Sequence, residues 1–490
     1  CRAMARPGVK FTQLFIDNEY VNSSSGKTFE TIDPSTEDVI CHVQEAEAAD
    51  IDKAVKAAKK AFALNSPWRT MNASERGRLL FILADLIEEN SEYIASLESM
   101  DNGKPYDSAC MDVRFGINLA RYFAGYADKI HGKVIPADGN VVCWTRHEPV
   151  GVVGAIIPWN FPFQLAILKI APAVACGCTI VLKPAEQTPL SAIFLGSLVQ
   201  RAGFPPGVIN IVPGFGETAG AALVNHPDVN CIAFTGSTAV GKLIMQAAAV
   251  HTKRVSLELG GKSPFIICDD ADFDKAATCA FENVMFNAGQ VCIAPTRTFV
   301  QAGIYDKFVE RMKQMALARK VGDPFNKSSV QGPQISQTQF DTVMKYIESG
   351  KKEGARLVVG GARLGQKGYF IQPTVFADVT DEMRIAREEI FGPVQCILKF
   401  NTLEEAIERA NNTNYGLGAG VFTADMDKAM RASQALQAGS VWINSYLELS
   451  APCPFGGFKC SGVGREMGKY NLEHFMEVKT VSMPVSVKNS

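Results

Sequence analysis

The sequence has no excess of charge of either sign, and this excludes one class of partner. Its 490 residues include 49 Lys and Arg against 51 Asp and Glu, which gives a net charge of −2 at pH 7. Nucleic-acid binding needs a concentrated positive field, so we expect no nucleic-acid partner. At roughly 100–200 residues per domain, the length predicts two to four domains.

The sequence also lacks a long apolar run. The longest stretch that merits a test, residues 171–182, lies between Lys169 and Lys183 and is far shorter than the roughly 20 residues that cross a bilayer. The first residues, Cys1 to Arg6, lack the apolar core of a secretory signal. The 13 cysteines do not have the spacing of a small disulfide framework, so we expect reduced thiols. We therefore predict no membrane association and a cytoplasmic location.

Histidine is scarce, and metal-ligand spacing is missing. The 6 histidines stand apart from one another along the chain. Cys176 and Cys178 are too close in sequence for a zinc pair, and they lie in an apolar run that is typical of a protein core. We therefore predict no metal site.

What the sequence does contain is a regular alternation of strands and helices. Apolar strands alternate with helices between residues 150 and 259, and a second alternation runs from residue 263 to residue 320 and resumes from residue 397 to residue 444. Such an alternation predicts parallel sheets with helices on their faces. The predicted fold class is therefore α/β, with two α/β domains that meet near Gly260 and Gly261.

Residues 133–150 form a predicted β-hairpin that precedes the first α/β region. Asp138 and Gly139 supply a turn that requires positive φ. In this position the hairpin is expected to project from the body of the protein. A projecting strand needs a partner edge, and an edge from another chain is one candidate.

A glycine-containing turn opens a predicted helix at residues 236–242. The free N–H groups and the dipole at such a helix end suit a phosphate. The string nearly matches the P-loop of an NTPase, but Leu243 stands where a Ser or Thr must bind Mg²⁺. An NTPase is therefore disfavoured, and a turn that binds nothing stays open as an alternative. Gly214, Gly216 and Gly220 match the dinucleotide-binding fingerprint only loosely.

Three residues carry chemistry that a catalytic site could use. Cys292 lies in a polar loop, where its thiolate could act as a nucleophile, or it is one inert thiol among 13. Glu258 ends a strand, and burial would raise its pKa and make it a base, whereas a solvent-facing position would not. Asn160 offers an amide donor for an oxyanion, or it serves only a turn. Lys183 and Glu186, just past a strand, could bind a ribose or be surface charges.

Short motifs occur in order along nearly the whole chain, from about Leu14 to the C-terminus. Together they resemble the NAD(P)-dependent aldehyde dehydrogenase superfamily, and residues 347–354 and 478–481 are most similar to its cytosolic class 1, retinal-dehydrogenase branch. Because Cys292, Glu258 and Asn160 all fall on motif positions, the resemblance favours the catalytic interpretation of each. The motifs are Pro-Trp-Asn-Phe-Pro (158–162), Lys-Pro-Ala-Glu-Gln-Thr (183–188), Phe-Thr-Gly-Ser-Thr-Ala-Val-Gly (234–241), Leu-Glu-Leu-Gly-Gly-Lys-Ser (257–263), Phe-Asn-Ala-Gly-Gln-Val-Cys (286–292), Glu-Glu-Ile-Phe-Gly-Pro (388–393) and Pro-Phe-Gly-Gly-Phe-Lys (454–459).

The resemblance implies a reaction and a role for each residue. Cys292 attacks an aldehyde, and Asn160 and the Cys292 backbone N–H hold the oxyanion. A hydride leaves for the nicotinamide, and Glu258 activates the water that hydrolyses the remaining thioester. The cofactor-binding residues that the resemblance implies are Ile157, Trp159, Lys183, Glu186, Gly216, Gly236, Ser237, Glu389 and Phe391.

The resemblance also implies the domain layout, the cofactor and the assembly. It places a Rossmann-type NAD-binding domain at residues 1–128 and 150–260, a catalytic domain at 261–475, and an oligomerisation hairpin and strand at 129–149 and 476–490. A glutamate at 186 would repel a 2′-phosphate, so we expect NAD rather than NADP. The implied assembly is a homotetramer built as a dimer of dimers.

Departures from the family pattern cluster on the aldehyde side and leave two hypotheses. The first is NAD-dependent oxidation of a hydrophobic aldehyde, with retinal as the guess. The second is a lens crystallin, a structural protein that keeps the fold, with or without NAD binding, and has little or no turnover. One departure is Pro295, which follows Cys292 in the nucleophile loop. Because proline fixes φ and lacks an N–H, we expect this loop to adopt a different conformation from the same loop in relatives. The departures are Ala239, Ala288, Pro295, Leu168 and residues 446–452.

Overall fold

A computed structural model describes residues 6–487 as four β-sheets packed with helices. Residues 1–5 and 488–490, the outer ends of the predicted segments 1–128 and 476–490, lie outside the described residues. The α/β fold class predicted from the sequence is confirmed. The strands are β1 (Leu14–Ile16), β2 (Glu19–Val21), β3 (Thr28–Ile32), β4 (Val39–Gln44), β5 (Val134–Ile135), β6 (Val141–Pro149), β7 (Val152–Ile156), β8 (Thr179–Lys183), β9 (Ile209–Ile211), β10 (Cys231–Thr235), β11 (Arg254–Glu258), β12 (Pro264–Ile267), β13 (Arg297–Gln301), β14 (Arg356–Val359), β15 (Thr374–Ala377), β16 (Val394–Phe400), β17 (Gly418–Phe422), β18 (Ser440–Ile443), β19 (Gly462–Val463) and β20 (Met476–Pro484).

Helices fill most of the connections between these strands. Short 3₁₀ or π segments occur as well, among them Gly216–Gly220, Phe286–Gly289 and Lys469–Phe475. The α-helices are α1 (Ala48–Ala61), α2 (Pro67–Thr70), α3 (Ala73–Glu89), α4 (Ser91–Asn102), α5 (Tyr106–Ala124), α6 (Pro162–Ala175), α7 (Leu190–Ala202), α8 (Ala221–Asn225), α9 (Thr238–Ala249), α10 (Phe273–Met285), α11 (Tyr305–Ala318), α12 (Gln337–Lys352), α13 (Arg384–Arg387), α14 (Leu403–Asn411) and α15 (Met426–Ala435).

The first sheet has the strand order β19-β11-β10-β7-β8-β9-β1-β2. The strands from β11 to β9 run parallel, as the alternation in residues 150–259 predicts. Strands β7, β8 and β10 are buried along their whole length, since helices such as α1, α6 and α9 pack against them. Parallel strands end at the same edge of a sheet, so the loops that follow them lie side by side.

Helix α6 accounts for the longest apolar run in the sequence. Residues 171–182 comprise the end of α6 and the beginning of β8, and both elements are buried. The one charged residue of α6 is Lys169, which is 1% exposed. Among the helices of residues 6–487, none combines the length and the apolar character that crossing a membrane requires.

The second sheet has the order β14-β15-β16-β13-β12-β17-β18 and is parallel except for the β14–β15 pair. The sequence analysis assigned no element between residues 321 and 396, where the structure has α12, β14, β15 and α13. Strand β14 is half exposed and its pairing with β15 shifts register between Leu357 and Val359, so it has no regular alternation to detect. The predicted domain boundaries at residues 128, 150, 260 and 475 stay predictions.

The predicted hairpin at residues 133–150 forms strands β5 and β6. Strand β6 also pairs along its whole length with β20, from Val141 opposite Pro484 to Pro149 opposite Met476. The partner edge that the hairpin needs is therefore supplied first by the C-terminal strand of the same chain. In this three-stranded sheet β20 is an outer strand.

Candidate active site

The loops after the parallel strands of the first sheet converge on one cavity. Asn160 follows β7, Thr235 ends β10, and Glu258 is the last residue of β11. Cys292 reaches the same place from the loop that precedes β13 of the second sheet. All four residues line a cavity of about 480 Å³. The structure thus brings together the three residues that the sequence singles out for catalysis.

Cys292 lies in a tight turn that presents its side chain to the cavity. The Ala294 N–H donates to the Val291 carbonyl at 3.0 Å and closes the turn. The Cys292 side chain is partly accessible, as a nucleophile must be. Just upstream, Asn287 and Ala288 adopt positive φ angles of 46° and 54°, a conformation that costs such residues roughly 1–3 kcal/mol each. Contacts from outside the loop must therefore hold it.

Two of these contacts hold the backbone of Ala288 and Gly289, just before the turn. A side chain at Gly289 would approach the Gly392 carbonyl oxygen to 1.9 Å, so only glycine permits this packing. The Ala288 carbonyl accepts a hydrogen bond from Gln334 Nε2 at 3.1 Å. Ala288 contributes its main chain to this bond, so the departure at position 288 leaves the anchor in place.

Glu258 and Cys292 interact at the centre of the cavity. Glu258 is 3% exposed, and Ser256 is buried as well, so the solvent-facing alternative does not apply to this strand. Burial raises the pKa of Glu258, while a hydrogen bond with the Cys292 thiol and the charge of Lys169 oppose the shift. Burial and the Glu258 carboxylate raise the pKa of the Cys292 thiol well above its usual value. The carboxyl group is thus placed to take a proton at the sulfur or from a water beside it.

Asn160 is fixed by hydrogen bonds at both its side chain and its backbone. Its Nδ2 donates to the Gln290 carbonyl at 3.1 Å, which ties the amide to the nucleophile loop. Its carbonyl accepts from Lys104 Nζ at 2.9 Å and from Asn287 Nδ2 at 3.0 Å. These bonds turn the amide nitrogen toward the Cys292 loop, which is the orientation that an oxyanion donor requires.

The sequence analysis missed a buried ion pair that faces Glu258. Lys169 Nζ donates to Thr235 Oγ1 at 2.8 Å and forms an ion pair with Glu466. Burial lowers the pKa of Lys169 to about 7, against the opposing effect of the Glu258 charge. A lone lysine in an apolar helix was a sequence signal for this site. Glu466 offered none, because it lies 297 residues further along the chain.

The predicted cofactor residues fall into two groups around the same sheet edge. Trp159, Gly236, Ser237, Glu389 and Phe391 line the cavity with the catalytic residues. The Trp159 and Phe391 rings meet edge to face with centroids 5.3 Å apart. Ser237 caps α9 by accepting the Val240 N–H at 3.3 Å. Glu389 Oε1 accepts the Gly261 N–H at 3.1 Å, and burial raises its pKa to about 7.

The second group lies around the ends of β7, β8 and β9, outside the wall of that cavity. Lys183 Nζ donates to the Gly214 carbonyl at 2.6 Å and lies 3.6 Å from Glu186. No atom comes within 4 Å of the point where Gly216 would carry a side chain, so its backbone is open to a ligand. Ile157 is buried, and its N–H donates to the Lys183 carbonyl at 3.2 Å. This hydrogen bond connects the end of β7 to the end of β8.

The structure shows which of the departures from the family pattern lie in the cavity wall and which do not. Leu168 is buried in the cavity wall, and Leu447 and Leu449 from segment 446–452 line it too. Pro295 follows the turn, whose closing bond uses the Ala294 N–H, so the N–H that proline lacks is not needed there. Ala239 is exposed in the first turn of α9 and does not line the cavity.

The described part of the chain contains no cluster of three or more His, Cys, Asp or Glu side chains arranged to hold a metal ion. Its cysteines are free, and Cys176 and Cys178 are buried in the core as expected. The side chains that line the cavity include the Cys292 thiol, the Asn160 amide and the carboxyl groups of Asp112, Glu258, Glu389 and Glu466.

Comparisons with known proteins agree with this arrangement. The model of the aldehyde dehydrogenase family matches residues 20–481. The chain is 58% identical to human retinaldehyde dehydrogenase 3 over 98% of its own length and 94% of that protein. It is 56% identical to rat cytosolic aldehyde dehydrogenase 1 over 99% of its length and 98% of that protein. An NAD⁺ complex of an aldehyde dehydrogenase from Bacillus cereus superimposes with a TM-score of 0.96, at 51% identity and 97% coverage of each chain.

Proposed function

Because this chain belongs to the aldehyde dehydrogenase family, we propose that Cys292, Glu258 and Asn160 carry out its reaction, the NAD-dependent oxidation of an aldehyde to a carboxylic acid. The enzyme class follows from the family model and from relatives that match nearly the whole chain. The observation that supports these three roles is the convergence of the three side chains on one cavity.

In the first proposed step, the Cys292 sulfur forms a bond to the aldehyde carbon. The thiol proton passes to the Glu258 carboxylate, which is in contact with it. The carbonyl oxygen becomes an oxyanion, and Asn160 Nδ2 and the Cys292 N–H donate to it. Such donors typically contribute about 10²–10³ in rate.

Two places in the structure fit NAD: the group of residues around the ends of β8 and β9, and the start of α9. The Gly216 backbone is open, the N–H groups at the start of α9 suit a pyrophosphate, and Glu186 favours a free 2′-hydroxyl. The chemistry that NAD supplies when bound is hydride acceptance, which leaves a thioester on Cys292. Glu258 releases the thiol proton to solvent and then takes a proton from water. The resulting hydroxide adds to the thioester carbon, and the C–S bond breaks to release the acid and a Cys292 thiolate, which takes the proton back from Glu258.

The proposed substrate is a hydrophobic aldehyde. Retinal is the specific proposal, supported by the name of the human relative, a retinaldehyde dehydrogenase. An apolar wall favours an apolar substrate, because a polar aldehyde would lose its hydrogen bonds to water when it entered the cavity. Apolar side chains in the cavity wall include Phe115, Leu168, Phe286, Leu447, Leu449 and Phe455.

The proposed assembly is a homotetramer, a dimer of dimers, and the proposed location is the cytoplasm. The outer strand β20 exposes Val478 and Met483. At the opposite edge of the same sheet, strand β5 exposes Val134. An exposed apolar edge of this length is a natural site for strand pairing between chains. The cytoplasmic proposal draws on the name of the rat cytosolic relative.

The test is NADH formation by purified protein at saturating NAD, with retinal and with short aliphatic aldehydes. We expect turnover that is lost in Cys292→Ala and faster for retinal than for the short aldehydes. Absence of turnover with NAD binding intact would contradict the proposed roles. It would favour the structural-protein alternative, the lens crystallin, for which the departures at positions 168, 288 and 295 were the motivation.

A further inference from the structure

Tyr446 is a buried residue to which the proposed reaction gives no role. It is 5% exposed, and its hydroxyl donates to the Ile293 carbonyl at 2.7 Å. Its ring packs against Phe265 at 5.4 Å between centroids and against Trp442 at 4.7 Å. Buried tyrosine hydroxyls normally find a hydrogen-bond partner, but here the partner is the residue next to the nucleophile.

The acceptor carbonyl belongs to the turn that carries Cys292. The Ala294 N–H closes this turn, and the Tyr446 hydroxyl holds the Ile293 carbonyl. Pro295 then follows and contributes no N–H of its own. The Tyr446 hydroxyl is thus a side-chain donor to the backbone of the turn between Cys292 and Pro295.

Tyr446 is itself held by a strained and closely packed segment. Asn444 and Leu447, on either side of it, have positive φ angles of 53° and 60°. Asn444 is pinned by two 3.0 Å hydrogen bonds between its side-chain amide and the Thr423 backbone. A side chain at Gly420 would come within 2.8 Å of the Tyr446 ring, so strand β17 also leaves room for it. Strain of this kind persists only where surrounding contacts over-determine the conformation.

The same segment forms part of the aldehyde cavity. Leu447 and Leu449 line the cavity wall, directly after Tyr446 in the chain. A single side chain therefore connects the wall that contacts the substrate with the turn that carries the nucleophile.

We propose that Tyr446 is a positioning residue that fixes the Cys292 turn against the cavity wall, so that the sulfur stays in line with the aldehyde carbon. The inference builds on the proposed function of Cys292. Without the hydroxyl, the Ile293 carbonyl stays buried without this donor and the turn relaxes. A displacement of about 1 Å at a reacting atom can cost on the order of 10²-fold in rate.

The test compares Tyr446→Phe with Tyr305→Phe in the full-length protein. Both variants keep the ring and remove one buried hydroxyl, and Tyr305 bonds to Asp378 at 3.0 Å, away from the cavity. Four quantities are measured: kcat and KM for the aldehyde, the dissociation constant of NAD, and the rate of Cys292 alkylation by iodoacetamide. Alkylation is followed on the Cys292 peptide by mass spectrometry, since the chain has 13 cysteines.

We expect Tyr446→Phe to lower kcat roughly tenfold or more and to change the alkylation rate of Cys292, with NAD affinity unchanged. Tyr305→Phe should lose comparable thermal stability but keep both rates. Equal kinetics and equal alkylation in the two variants would overturn the proposal. If the wild-type protein oxidised no aldehyde, the proposed function would fail, while the alkylation comparison would still decide the role of Tyr446.

Discussion

At the scale of single residues, the active-site chemistry depends on how one carboxyl group is surrounded. Glu258 is buried, which raises its pKa, yet it faces the Lys169 ammonium and touches the Cys292 thiol, which both lower it. Burial alone would keep the group protonated and useless as a base. The Lys169 charge limits that shift, so the pKa of the carboxyl is raised by less than burial alone would raise it, and the carboxylate is a stronger base than an exposed glutamate.

The pH dependence of turnover should therefore have an acidic limb set by Glu258. A base works only when deprotonated, so kcat should fall as the pH falls through the raised pKa of Glu258, above the range of an ordinary glutamate. Glu258→Gln should lower kcat by about 10²–10⁴ and remove this limb. A first turnover of NADH should still occur, because hydride leaves before hydrolysis, but at a reduced rate, because the thiol proton has lost its acceptor. The measurement is a kcat–pH profile together with rapid-mixing detection of NADH.

A second readout separates loss of the base from loss of the fold. The Glu258 charge raises the pKa of the Cys292 thiol, so Glu258→Gln should lower that pKa and speed alkylation of Cys292 at fixed pH. Glu382→Gln, at an exposed position, is the control and should change neither rate. A Glu258→Gln variant that kept wild-type turnover across the pH range would rule out this carboxyl as the base.

The same residues show what sequence spacing can and cannot reveal. Alternation along a strand gave Glu258 a solvent-facing alternative, but a parallel sheet packed with helices buries such positions. Lys169 could have been found, because a lysine in an apolar helix must have a buried partner. Glu466 could not, because only the fold brings it to Lys169. Nor did any local pattern connect Tyr446 with the turn at Cys292.

At the scale of elements, the start of α9 has a structural role as a capped helix end and a proposed role in binding NAD. Ser237 caps the helix by accepting the Val240 N–H, and the same turn opens onto the cavity. The sequence predicted this turn correctly from its glycine and its position after a strand. It could not distinguish a phosphate site from a plain turn, because both use the same backbone.

Removal of the Ser237 cap should affect both stability and cofactor binding. Ser237→Ala should cost about 0.5–2 kcal/mol of unfolding free energy, as loss of a cap does, and should weaken NAD binding because the first turn frays. Thr402→Ala is the matched control, since Thr402 caps α14 through a 3.3 Å bond to the Glu405 N–H far from the cavity. Calorimetric unfolding and NAD titration would check this. Equal NAD affinity in the two variants would contradict a role of the α9 start in cofactor binding.

At the scale of the whole molecule, the proposed assembly depends on the three-stranded sheet that lies outside the two main sheets. The sequence predicted the hairpin from its Asp-Gly turn, but β20 pairs with it over a separation in sequence that no local pattern could reveal. This pairing satisfies one edge of β6 within the chain and leaves β20 as an outer strand. The unit available for association is therefore a three-stranded sheet rather than a lone hairpin.

A charge on this outer strand should break the proposed tetramer into smaller species. Val478 is 60% exposed in β20, and an aspartate there would be buried without a partner if another chain covered the strand. Leu64 is 78% exposed in the loop after α1, so Leu64→Asp is the control for an added surface charge. Sedimentation velocity should show tetramers for the wild type and for Leu64→Asp, and smaller species for Val478→Asp. Tetramers of unchanged stability in Val478→Asp would place the association surface elsewhere, and a monomeric wild type would remove the assembly proposal altogether.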